Sequence, residues 1–307
     1  AAPGGDSGTP AEGRGATSGR GATSGGATWG RHIRFEVVYK AKDQSAGTVS
    51  GGNGTCPFPD CGRVIDGDEI KAQAQAGKMG EQLYCIVYKE HKVTGYTKAG
   101  KEKIKKVRGF RAPRPEDDVR AQVQAALDEK MPEWEARGIV PDEAYPDNTN
   151  DDRPRQYGMP LWRDMFSPRQ LYGHCTSVEV FHDLVEEMGG PGKLSDVDKA
   201  ALVYLAIAMD KLLNWNAMMS SWNVNAARLR SVFDRHDFAV KWSYGEMAPT
   251  VAGLGYDWTI KQTGKSLKEL IELCGVDAEG EEAGGQMYLA TSSNSTCGSA
   301  APGGDSG

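Results

Sequence analysis

The sequence predicts an α+β fold, β-rich before about residue 114 and mostly helical after residue 157. Three observations predict it. Ile33, Phe35 and Val37 alternate with polar neighbours, the period-two signature of a half-buried strand. Leu171, Cys175, Val178, Phe181, Val185 and Met188 recur at three and four, a spacing that only a helix gathers into one stripe. The 307 residues are 39% apolar and 25% charged, the balance of an ordinary soluble chain.

The elements follow in order. Residues 1–30 carry GRGATS twice, from Gly13 and from Gly19, in a Gly/Ala/Ser/Thr composition with too little apolar surface to offset its ordering entropy, so disorder is expected. The octapeptide AAPGGDSG stands at Ala1–Gly8 and again at Ala300–Gly307, so the chain boundaries are expected to reflect how the sequence was cut or assembled. Residues 31–114 form the β-rich module, with strands at His32–Val37, Leu83–Tyr88 and Lys105–Arg111 and a short helix at Asp66–Ala76 closed by Gly77. Residues 115–156 hold a polar helix, Pro115–Arg137, which Pro132 should kink or end, and then an Asp/Asn/Pro-rich linker, Asp142–Gln156.

Residues 157–276 form the helical region. Ser167 is a good N-cap, Pro168 suits the first helical position, and Gln170 three residues after Ser167 completes a capping box; Gly189 and Gly190 close that helix. A buried helix is expected over Asp196–Met219, shorter helices at Asn225–Arg235 and Ser266–Cys274, and a strand within Phe238–Met247. Residues 277–307 are a tail with one further strand at Gln286–Ala290.

Composition narrows the function. The net charge of -6 argues against a generally basic nucleic-acid coat. The longest uncharged apolar run, Ala200–Met209, is half of what a bilayer needs, so no membrane is expected and the cytoplasm is the default compartment. Six scattered cysteines make no disulfide framework and suit a reducing compartment. No P-loop, HExxH or G-x-G-x-x-G is present, nor a recognisable Ser-His-Asp arrangement.

Two motifs stand out. In GTCPFPDCG, Cys56 and Cys61 sit on a turn bent by Pro and Gly, the look of a zinc knuckle; a structural zinc takes four ligands, and two are half a site. Lys98, Lys101, Lys103, Lys105, Lys106, Arg108, Arg111 and Arg114 form a basic strip interrupted by Glu102. On a β-hairpin such a strip reads either as a solvated face or as a track for DNA phosphates, with Lys101, Lys103, Lys105, Lys106, Arg108 and Arg111 as the DNA-binding candidates.

Several stretches together resemble one family. HIRFEVVY, GTVSGGNGTCPFPDCG and AGKMGEQLYCIVYKE resemble the zinc-ribbon insertion of large S-adenosylmethionine-dependent, adenine-specific DNA methylases. YGMPLWRDMFSPRQLYGH, Tyr157–His174, is similar to the segment before that family's central helices, and LLNWNAMMSSWN with RLRSVFDRHDFAVKWSYGEMAP to the segment after them. The match runs in family order from about His32 to Pro249. It implies a zinc-ribbon-like module and a helical region adjoining an incomplete α/β methyltransferase sheet, with S-adenosylmethionine as cofactor and DNA as partner. The family's F-x-G-x-G-type cofactor loop and D-P-P-Y-type amine-holding loop do not occur in this sequence. By family order they belong before residue 1 and after residue 307, so the chain is expected to be a middle fragment, inactive alone and with no catalytic residue of its own. The resemblance also implies that Phe166, Ser167 and Pro168 contact the methionine end of the cofactor, with Arg169 pairing its carboxylate. Helix physics agrees, because the N–H groups and positive dipole end of a first turn suit an anion. A plain capped helix satisfies the same residues.

Overall fold

A computed structural model of the chain describes residues 15–18, 33–147, 151–234 and 243–274. Helices and small antiparallel sheets are both present, which makes the fold a mixed α+β one. Strand β1 (Gly15–Ser18), from the first GRGATS copy, pairs antiparallel with β2 (Ile33–Glu36) in a segment where the composition predicts disorder. The short strands β3 (Val49–Ser50), β4 (Asn53–Thr55) and β5 (Val64–Ile65) form one antiparallel sheet, with the Cys56–Cys61 turn between β4 and β5. Helix α1 (Gly67–Gln75) starts where expected, because the Asp66 carboxylate accepts the Asp68 N–H at 2.8 Å.

The largest β unit is a long hairpin, β6 (Ile86–Tyr96) against β7 (Glu102–Arg111). Helix α2 (Arg120–Ala136) runs through Pro132 rather than ending at it. Proline forfeits one hydrogen bond to the preceding turn. The burial of Trp134, which is 0% exposed, anchors the last turn regardless, and Gly138 in the left-handed region then closes the helix. Described residues of the expected linker are anchored: Tyr145 is buried, its N–H donates to Pro160 O at 2.8 Å, and α3 (Arg153–Gln156) buries Pro154.

Helix α4 (Pro168–Glu187) is the one that the capping box announces, and α2 packs along it. Leu127, Trp134, Ile139, Val140, Leu171 and Cys175 form the core between them. A second cluster joins Tyr145, Met159, Met165 and Met219, and Phe166 packs against both. Helix α5 (Asp196–Leu213) stops six residues short of Met219, because the Asn214 side chain and carbonyl accept the Phe233 and Val232 N–H groups and turn the chain away. Where a helix is expected over Asn225–Arg235 there is instead a hairpin, β8 (Ser221–Asn223) with β9 (Arg228–Arg230). Asn223 Oδ1 accepts the Ala226 N–H at 3.0 Å, and this local turn outcompetes the helical propensity of Ala-Ala-Arg-Leu. Helix α6 (Gly255–Leu273) begins eleven residues before Ser266; packing on α5, and of Trp258 against Trp215 just beyond the α5 end, overrides the poor propensity of Gly255 and Gly264. The residues of the expected strand before Ser243, and Gln286–Ala290, lie outside the described residues. No helix among the described residues is long and apolar enough to cross a membrane.

Candidate functional site

The first turn of α4 is where distant parts of the chain meet. Ser167, 2% exposed, accepts the Gln170 N–H, and Gln170 Oε1 accepts the Ser167 N–H at 3.0 Å. The two bonds hold the Phe166–Ser167 corner open into the helix, and Phe166 stacks edge-on against His174 at 5.3 Å. Across from this turn lies 243–247. Glu246 takes an ion pair from Arg169, and Ser167 Oγ donates to Glu246 Oε2 at 3.4 Å. Asn216 Oδ1 accepts the Met247 N–H at 2.7 Å, tying that segment to the end of α5.

A fourth segment completes the site. Tyr244 Oη donates to Glu81 Oε1 at 2.9 Å, and Arg120 reaches the Glu81 carbonyl. Burial pushes the Glu81 carboxyl above the ordinary carboxylate range, the Tyr244 bond offsets part of this, and nearby Glu246 adds to the rise. Burial and the same carboxyl raise the Tyr244 phenol. Behind the turn, His174 Nε2 lies 3.0 Å from the Asn216 carbonyl. A carbonyl only accepts, so the proton is on Nε2, and burial holds the imidazole below its ordinary value, hence neutral. Tyr256 Oη donates to Ser177 Oγ at 2.8 Å and stands 3.4 Å from His174 Nδ1.

Chemically, the mouth of α4 suits a carboxylate, because it holds one. The dipole, the Ser167 hydroxyl and the Arg169 guanidinium all favour negative charge there. Gln170 Nε2 is fully buried beside it with no hydrogen-bond partner among the described residues, a spare donor for an acceptor group. These donors fit the carboxylate end of an amino-acid-like cofactor. The buried Cys175 thiol is pushed up to about 11 and stays protonated, so it is no nucleophile here.

The metal candidates fit less well. Cys56 and Cys61 share a tight turn, with Cys56 N–H on Arg63 O and Cys61 N–H on Phe58 O. No group of three or more His, Cys, Asp or Glu side chains able to hold a metal forms among the described residues. Two thiols do not satisfy a tetrahedral zinc.

The basic candidates divide by role. Lys103, Lys105 and Lys106 are exposed on β7, and Lys101 is exposed just before it. Arg111 is held by Asp117 through bonds of 2.6 and 2.7 Å, which keep that carboxyl well below its usual range. Arg108 reaches the Ala227 carbonyl and lies 6.0 Å from the Trp222 ring centre. The two arginines pin the hairpin base while the lysines point outward.

Sequence reasoning gave Phe166 to Arg169 but missed Glu246, Glu81, Tyr244 and His174. None has a local signal, since each acts through a partner 42 to 163 residues away. No family model, curated protein or solved structure matches the chain.

Proposed function

We propose that this chain is part of a DNA N6-adenine methyltransferase that moves a methyl group from S-adenosylmethionine to an adenine flipped out of the duplex. What supports the reading is one convergence. The segments that resemble the methylases, Tyr157–His174, the stretch around Asn216, Tyr244–Pro249 and the stretch containing Glu81, are far apart in sequence and meet at the first turn of α4.

In this reading Phe166, Ser167, Pro168 and Arg169 hold the methionine end of the cofactor, which supplies the methyl group when bound. Arg169 then exchanges the Glu246 carboxylate for that of the ligand. The amine-holding D-P-P-Y loop is not in this sequence. The chain by itself therefore gives no methylated adenine from DNA and labelled cofactor, and turnover would show the assignment of roles wrong.

The direct test is a titration with S-adenosylmethionine followed by amide NMR. Shifts confined to Phe166, Ser167, Arg169, Gln170 and Glu246 are expected, and Arg169→Gln should abolish them. An unshifted first turn at millimolar ligand removes the cofactor role. It would leave the alternative of a DNA-binding module without chemistry.

A further inference from the structure

The β6–β7 hairpin concentrates positive charge in a chain that is acidic as a whole. Its 86–111 segment carries nine lysines and arginines against two glutamates, Glu90 and Glu102, while the full chain has a net charge of -6. Sequence reading finds the β7 half of this charge. The register adds the other half: Lys89 lies opposite Arg108, His91 opposite Lys106, and Lys92 opposite Lys105.

Basic residues directly opposite one another weaken a ladder when both are charged. A two-stranded ribbon has little stability of its own to spare. Beyond its base, which is half-buried around Val107, Phe110 and Arg111, the hairpin is exposed on both faces. No ion pair among the described residues engages Lys89, Lys92, Lys103, Lys105 or Lys106. Such an arrangement costs folding free energy and is relieved by a rod of closely spaced negative charge.

Dimensions select the rod. Ten residues of β7 span about 34 Å, close to one turn of B-DNA. Two strands about 4.8 Å apart make a ribbon that a major groove about 12 Å wide admits. Arg108 and Arg111, committed to Ala227 and Asp117, give the ribbon a fixed base rather than two more phosphate contacts.

We propose that the hairpin is a duplex-DNA-gripping ribbon in which lysines of both strands on one face, Lys92 with Lys103 and Lys105, neutralise phosphates, while Lys89 and Lys106 on the other face add to the ribbon's positive field. The proposal stands apart from methyl transfer, and holds or fails whatever S-adenosylmethionine does at α4.

The test uses the full chain and a labelled 30-base-pair duplex, with binding followed by anisotropy over a salt series. Wild type is expected to bind, with an affinity that falls linearly on log–log axes. Lys89→Gln/Lys92→Gln should weaken binding about tenfold at about 100 mM salt and reduce the slope by about 1, because one lysine of each pair faces the duplex, as should Lys105→Gln/Lys106→Gln. Both variants should melt no lower than wild type, because each removes cross-strand repulsion. Absence of binding at low salt, an unchanged slope in the Lys89/Lys92 variant, a lower melting temperature in the variants, or tighter binding to single-stranded RNA of equal length would each overturn the proposal.

Discussion

At the scale of single residues, His174 shows how burial turns an ionisable side chain into a structural one. Its Nε2–H donates to Asn216 O, and it packs against Phe166. Because its folded pKa lies below the unfolded value of 6.5, its contribution to stability is present above that value and is lost as pH falls through the folded one. Thermal melting should therefore begin to drop on acidification below about pH 6.5, before the carboxylates held by Arg111, Arg120 and Lys130 protonate in their lower range. A His174→Gln variant should lose that early drop, and its persistence would locate the titration elsewhere. Glu81 has the opposite sign, being stabilising while protonated and costly once ionised. It sits at the same turn because Tyr244 and Arg120 hold its segment there.

At the scale of elements, the α4 start is the clearest case of local chemistry deciding structure. Ser167, Pro168 and Gln170 each do at the terminus what their side chains favour anywhere. The fit between α1 and the α3 end is of another kind. Gly158 has φ +77°, and a Cβ there would stand 2.3 Å from the Ala74 carbonyl oxygen. Gly158→Ala is expected to destabilise the chain by about 1–3 kcal/mol through backbone strain, with a further cost from the displaced α1, as read from urea midpoints. A change below about 0.5 kcal/mol would mean that this close approach is not made in solution. The β8–β9 hairpin teaches the converse lesson, since its Ala-Ala-Arg-Leu run favours a helix and the Asn223 turn defeats it.

At the scale of the whole molecule, helices α2 and α4 carry the principal core while the β units hang from it through a few specific contacts. Trp134 sits at the centre of that core, against Tyr172 at 5.6 Å. Trp134→Ala should cost about 3–5 kcal/mol and unfold α2 and α4 together, visible as a shared loss of helical circular dichroism and protected amides. By contrast, removing hairpin lysines should leave this core untouched, since the hairpin meets the rest through Arg108, Phe110 and Arg111. Charge follows the same division, with a dense run of cations on the projecting ribbon and the half-buried carboxyls Glu81 and Glu246 at the α4 mouth.

The sequence by itself determined those features whose physics is local. These are the capped start of α4 and its glycine stop, the Asp66 cap of α1, the alternation that makes β2 and β7, and the lysines of the basic strip. Each depends on residues within a few positions of one another. Only the tertiary structure decided that Glu246 meets Arg169, that Glu81 meets Tyr244, that β6 doubles the positive ribbon, and that Arg108 and Arg111 anchor rather than reach outward. These depend on register and on packing between segments tens to hundreds of residues apart. Burial and the pairing of charges are properties of a closed fold, and no stretch of chain carries them alone.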